Sequence, residues 1–443
     1  MRTISIKIVI FISNVLTFLQ AGLGLLQLFD LRASNNVRYV LTGSFENPGP
    51  FGGFIAIMLA ILGAYVLLNR NVDKWYEKVL VVLSMISCAL CIVVLPASMS
   101  RAAWLALGVA ALVFGLKELN LADWIGKHKR NAIIASVLVL MVMIGVFFIK
   151  KDSAIGRLHI WNIELRAIAD KPWTGYGKGS VLGVYGETQA EYFAEKDRSE
   201  IIKKVAGCPE YAFNEYLKIG IEYGIPTMFA VIAMLIVLII LLLKVRSPFA
   251  YGLIAFCVFA FFSYPLSVVE IKSEAEKQWE SVRYLSGMEL YEDAIEEYAP
   301  LYEDLKDNYR YLYDYGYALF KCGRYSESIK VLKEGATISS DPMFYNIMGR
   351  NNEALGLYEA AECCYMRSHN MVPSRIYPLF LLMNLKIDLS ENVEAIELGK
   401  EIMRMNVNER NFAMMELQNQ CKQTLDSLKR VLPTPISRPA TAS

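Results

Sequence analysis

Apolar runs of about 20 residues, separated by short charged connectors, fill the chain as far as Val269 and then cease. A helix rises about 1.5 Å per residue, so ~20 residues cross the ~30 Å core of a bilayer with every backbone N–H and C=O bonded internally. Seven such runs are read, at 4–28, 51–69, 79–96, 102–116, 132–149, 223–243 and 249–268. From Lys272 onward Glu, Lys, Tyr and Asp dominate. The mean hydropathy of +0.33 is thus an average over two parts made for different solvents. The expected fold is all-α: a polytopic transmembrane helix bundle of about seven spans, then a water-soluble helical solenoid. The first run follows Arg2 and Lys7, but it is too long for a signal peptide, lacks a small-residue exit, and reads as a retained anchor.

Arg70, Lys74 and Lys78 share one connector, Lys117, Lys127, Lys129 and Arg130 a second, and Lys244 and Arg246 a third. Every second connector is basic, and basic residues at helix ends stay on the cytoplasmic side. Residues 29–50, 97–101 and 150–222 are therefore expected on the opposite, outer face. Parity brings the C-terminal part there as well, provided that 249–268 crosses once. The Tyr264-Pro265 step is where a kink or a re-entrant path would move it to the cytoplasm.

The soluble part repeats itself. Leu290–Tyr298, Arg324–Leu332, Leu357–Tyr365 and Asn392–Lys400 align with Ala294, Ser328, Ala361 and Ala395 in register, at spacings of 34, 33 and 34 residues. That period matches tetratricopeptide-type helix pairs, in which a small residue at this place lets two antiparallel helices approach. Gly287, Gly323 and Gly356 fall near the second helix of each pair, and Pro342 and Pro373 punctuate the turns between pairs. The domain reading is 1–271 transmembrane with an outer loop at 150–222, 272–430 helical repeats, and 431–443 a Pro/Ser/Thr-rich disordered tail. The repeats are expected to dock a protein partner in their groove or to brace the membrane part.

Several function classes drop out. A net charge of +1 offers no basic stripe for nucleic acid. Seven of the eight cysteines, all but Cys208, sit in apolar or helical patterns, and buried free thiols are expected rather than disulfides or ligands. No P-loop, GxSxG, HExxH or paired-carboxylate motif appears, so neither a metal nor another cofactor is expected.

Chemistry is left to polar clusters on the outer side, where ionisable groups are costly unless used. These are Arg38 with Thr42–Gly53; Ser98–Trp104, around Arg101; Gly156–Trp161 with Lys171–Ser180, including Arg157 and His159; and Pro209–Gly224, with Glu210, Asn214, Glu215 and Tyr216. Each has a plainer reading. The arginines would snorkel to headgroups, Trp161 and Trp173 would form an aromatic belt, and His159 would be an idle loop residue. Gathered on one face, however, the guanidinium groups suit a lipid-borne diphosphate, whose oxygens they bind in bidentate fashion.

In the series GSFENPGPFGGFIA, SMSRAAWL, GRLHIW with PWTGYGKG, and FNEYLKIGIEYG, the chain resembles the O-antigen ligase and polymerase superfamily over roughly Gly22 to Ser267. The appended repeats look like those of Bacteroidetes members. The resemblance implies a multi-pass protein of the bacterial inner membrane with its long loop, and by parity its repeat tail, in the periplasm. It also implies a glycosyltransferase that moves an oligosaccharide en bloc from undecaprenyl diphosphate to an acceptor, with a polysaccharide polymerase as the alternative. Arg101 and Arg157 would bind the diphosphate, with Arg38 a third candidate, while Asn214 and Tyr216 would contact substrate. The family pattern has His before that Asn. Phe213 stands there here, so a base is sought in Glu210, Glu215 or His159. Family members have ten or more spans; a shortened or inactive relative, or a non-catalytic scaffold for envelope assembly, is the other expectation.

Overall fold

A computed structural model describes residues 2–134, 137, 151–267, 273–405 and 411–431, and within these the chain is helical with no strand, the all-α class expected. Two compact units divide it. The first comprises Met1–Ala154, Lys171–Gly175 and Tyr211–Glu270; the second comprises Ile155–Asp170, Tyr176–Glu210 and Ile271–Ser443.

Pro48–Leu68 is the central helix of the first unit and packs against Arg2–Leu28, Trp75–Ala97, Arg101–Glu118 and Phe249–Phe262. Small residues make that possible. Ala56, Ala60 and Ala64 are buried on it, as are Ala103, Ala106 and Ala110 on Arg101–Glu118 and Ala250 and Ala255 on Phe249–Phe262. Lipid is as apolar as leucine, so such helices associate through close backbone approach and hydrogen bonds instead. Asn14 supplies the bonds: its Nδ2 donates to Ser84 Oγ at 3.0 Å and its Oδ1 accepts from Ser87 Oγ at 2.7 Å, joining Arg2–Leu28 to Trp75–Ala97.

Among the described residues four helices are long and apolar enough to cross a membrane: Ile6–Leu28, Pro48–Leu68, Trp75–Ala97 and Glu215–Lys244. Arg101–Glu118 with Leu121–Lys127 adds a fifth if that pair, bent by 84° where Asn120 turns left-handed (φ 51°), counts as one span. Five of the seven expected runs fall on these helices, and a sixth on the shorter apolar helix Phe249–Phe262. The run at 132–149 lies outside the described residues, apart from 132–134 and 137, and so does the tail beyond Val431. The run expected from 223 begins at Gly224, where a break divides Glu215–Lys244. One boundary is corrected. The run expected at 249–268 is helical only over Phe249–Phe262, because Ser263 is extended and Pro265 opens a 3₁₀ turn. Its 14 residues rise about 21 Å, less than a full hydrocarbon core. Arg246 pairs with Glu118 at 2.5 Å, and Tyr251 donates to the same carboxylate at 3.1 Å.

The second unit is built on stacked helix hairpins, Tyr309–Lys321 with Tyr325–Thr337, Met343–Ala354 with Tyr358–Met371, and Tyr377–Asp388 with Asn392–Arg404. Ala294, Ser328, Ala361 and Ala395 are fully buried. Ser328 is satisfied there, donating to Gly316 O at 2.7 Å and accepting from Asn351 at 2.8 Å. The hairpin turns use one left-handed residue each, Glu289, Gly323, Gly356 and Ser390. Glu289, not Gly287, makes the first of them. All eight cysteines are free, but only Cys91 and Cys421 are buried, and Cys363 is exposed, against expectation. Val181–Glu195, from the long loop, packs on Tyr325–Thr337 and Tyr358–Met371 within the same unit.

Candidate functional site

At one end of the first unit the start of Pro48–Leu68 meets the turn before Arg101–Glu118. Asn47 caps the former through Gly49 N at 2.8 Å. A Cβ on Gly52 would lie 2.7 Å from Ser100 Cβ and from Ser98 Oγ, and one on Gly53 would enter the Phe259 ring. The glycines of this motif are thus contact points for two neighbouring segments. Met99 reverses the chain in the left-handed region (φ 51°) and delivers Arg101 as the first residue of its helix. The Arg101 Nη2 donates to Ser153 Oγ at 3.3 Å. Among the described residues no side chain caps this helix, so its first N–H groups and the guanidinium form one electropositive end.

Arg38 lies on the preceding connector. Gln27 pins that segment, accepting from Thr42 N and Gly43 N at 2.9 and 2.7 Å and donating to Gly43 O at 2.9 Å. Arg38, Asp30, Arg32 and Tyr39 line an open cavity of about 220 Å³.

Asn214 caps Glu215–Lys244 by accepting from Tyr216 N and Leu217 N at 2.9 and 3.1 Å. Glu215 is buried, and its Oε1 accepts from Leu266 N at 2.9 Å, while the Tyr216 hydroxyl donates to Cys257 O at 3.0 Å. These bonds tie the start of this helix to the end of Phe249–Phe262. Phe213 packs edge-on against Tyr264, which stacks on Tyr211 at 4.3 Å between centroids. The position expected to hold an imidazole is given to an aromatic cluster. The helix breaks at Gly224 (φ 82°, ψ 168°) ahead of Pro226, and Ile225 N donates to Pro172 O at 2.7 Å. Gly175 fits so closely that a Cβ would be 2.5 Å from Ile221 O.

Arg157, His159 and Glu210 lie in the second unit. His159 is buried on Lys151–Asp170; its Nε2 is 2.9 Å from Gln189 Oε1, and burial holds its pKa below the usual histidine range. Its ring is committed to packing. Glu210 is exposed and paired with Arg310 at 3.5 Å. On the same helix Glu164 is 1% exposed, Oε2 has no hydrogen-bond partner among the described residues, and burial pushes the pKa up to about 8.

Arg101 thus acquires Ser153, and Asn214, Glu215 and Tyr216 come together at one helix start, which Asn214 caps. Arg38 sits at a separate surface cavity. Sequence reasoning missed Ser153, Gln189, Glu164 and the Tyr264 cluster. Only Tyr264 carried a signal, through the following proline. The others are single polar residues whose partners are distant in sequence.

The fold and these clusters define a polytopic all-α membrane protein with an appended helical-repeat array. Residues 86–232 match the family model described as O-Antigen ligase. The matched stretch contains every expected site residue except Arg38. It supports a ligase-like or polymerase-like role in glycan assembly at a membrane. No curated protein matches the chain.

Proposed function

We propose that this chain is a glycosyltransferase of the O-antigen ligase type, acting on the periplasmic face of a bacterial inner membrane. It moves an oligosaccharide en bloc from undecaprenyl diphosphate to an acceptor hydroxyl. The acceptor oxygen bonds to the anomeric carbon as the bond to the diphosphate breaks. Arg101 and Arg157 take up the charge growing on that leaving group, the type of electrostatic stabilisation that is largest in a dry site. Glu215 or Glu210 receives the acceptor proton.

The observation that carries this reading is the family match across the segment bearing both arginines, with Arg101 at an uncapped helix N-terminus. Joining of repeat units, the polymerase reaction, draws on the same match and differs only in the acceptor. The tetratricopeptide-type repeats belong on the same side of the membrane as the long loop, since both are parts of one compact unit.

The test is to incubate the purified protein with undecaprenyl-diphosphate oligosaccharide and candidate acceptors and to follow release of the lipid diphosphate. Release that is abolished in Arg101→Ala and Arg157→Ala supports the proposal. Release unaffected by both substitutions sinks it.

A further inference from the structure

Gln189 is 1% exposed, and both ends of its amide are used. Nε2 donates to Gly207 O at 3.0 Å and to Met371 O at 2.5 Å. Carbonyl oxygens only accept, so the amide orientation follows and Oε1 is left to accept from the Tyr185 hydroxyl at 2.5 Å and from His159 Nε2 at 2.9 Å. His159 therefore carries its proton on Nε2. One side chain joins the helix Lys151–Asp170, its own helix Val181–Glu195, the segment around Gly207 and the end of the repeat helix Tyr358–Met371.

The surroundings make the same junction. A Cβ on Gly183 would run into the backbone of Thr337. Ser340 Oγ donates to Pro209 O at 2.8 Å, Arg375 reaches Cys208 Sγ at 3.1 Å, and Tyr345 and Arg367 both bond Glu187. The long loop is thereby fastened to the repeats. Its consequence for Arg157 comes from helix geometry: at about 100° per residue, side chains two apart point roughly 200° from one another. Drawing His159 into the interior turns Arg157 to the other side of the helix.

We propose that Gln189 is a positioning residue through which the repeat array sets the helix that carries Arg157, so that the repeats serve glycan transfer by clamping this chain's own loop. The proposal rests on the transferase reading only in giving Arg157 a part in the reaction; the clamp is measurable without activity.

The experiment compares the full-length protein in lipid nanodiscs with Gln189→Leu and Gln189→Glu, by hydrogen–deuterium exchange over 151–170 and by transfer rate. Leu removes all four bonds. Glu keeps the two acceptor roles but turns a carboxylate oxygen toward the carbonyls of Gly207 and Met371, and protonation restores a donor. Exchange over 151–170 should rise at least about tenfold in Gln189→Leu, in line with the loss of a buried hydrogen-bond hub. In Gln189→Glu both exchange and transfer, relative to wild type, should be impaired at pH 8 and recover toward pH 5.5. A passive packing residue would tolerate Gln189→Leu, an apolar side chain of similar size. Unchanged exchange in Gln189→Leu, or a Gln189→Glu ratio flat with pH, overturns the clamp. Altered exchange in a protein whose wild type transfers nothing keeps the clamp and overturns the transferase reading instead.

Discussion

The backbone N–H of Ile225 donates to the carbonyl oxygen of Pro172 at 2.7 Å. Gly224 interrupts the helix at that point, and the short loop Lys171–Gly175 fills the interruption. Gly224 has a φ of 82° and Gly175 a φ of 67°, and a Cβ on either would strike the other segment's backbone. Gly224→Ala and Gly175→Ala should each lower stability by about 1–3 kcal/mol from backbone strain, with the steric clash in addition. Thermal unfolding in detergent measures it, and a melting temperature equal to that of wild type for both would show that loop and helix do not interlock.

Arg101 opens its helix beside Ser153. Replacing it by Lys keeps a point charge but loses the planar fork, so transfer should fall about tenfold; Ala should cost on the order of a hundredfold. Steady-state release of lipid diphosphate reads both. Equal activity of the Lys and Ala variants would argue against bidentate phosphate binding.

Glu164 makes stability depend on pH. Its pKa rises from 4.5 to about 8 in the folded protein, so the native state holds a proton that the unfolded chain has lost across that window. Stability should therefore decline as pH climbs from about 4.5 to about 8, by up to roughly 1.4 kcal/mol per pH unit from this group, and level off above. Glu164→Gln should flatten that slope and be the more stable protein at pH 8. Denaturant titrations at pH 5 and pH 8 compare the two; parallel slopes would contradict it.

The proposed topology puts the long loop and the repeats, which share a compact unit, on one side of the membrane. Exposed Cys363 in the repeats and a cysteine introduced at exposed Lys196 in the loop, each as the single thiol, should react equally with an impermeant maleimide. Labelling in cells with a permeabilised outer membrane places both in the periplasm. Opposite labelling of the two would exclude the shared unit.

Much of this architecture was legible because membrane and repeat constraints are local. A helix must satisfy its own backbone in lipid, so apolar run length marked Arg2–Leu28, Pro48–Leu68 and Trp75–Ala97 closely. The end of Phe249–Phe262 was less legible. Tyr264-Pro265 flagged a break, yet only the extended Ser263 shows where the helix stops. For the site, the motif series marked the right segments, but not their partners. Phe213 read as a missing histidine, whereas its ring completes a cluster with Tyr264.

The sequence alone marked apolar spans ahead of a polar helical part with a 33- to 34-residue period, because hydropathy and small-residue period are properties of neighbouring residues. Tertiary structure decided that the loop carrying Arg157 packs with the repeats, through Gln189 reaching Met371 across 182 residues of chain. A lone glutamine has no periodicity and no motif. Its role exists only once folding brings two carbonyls and two donors around its amide.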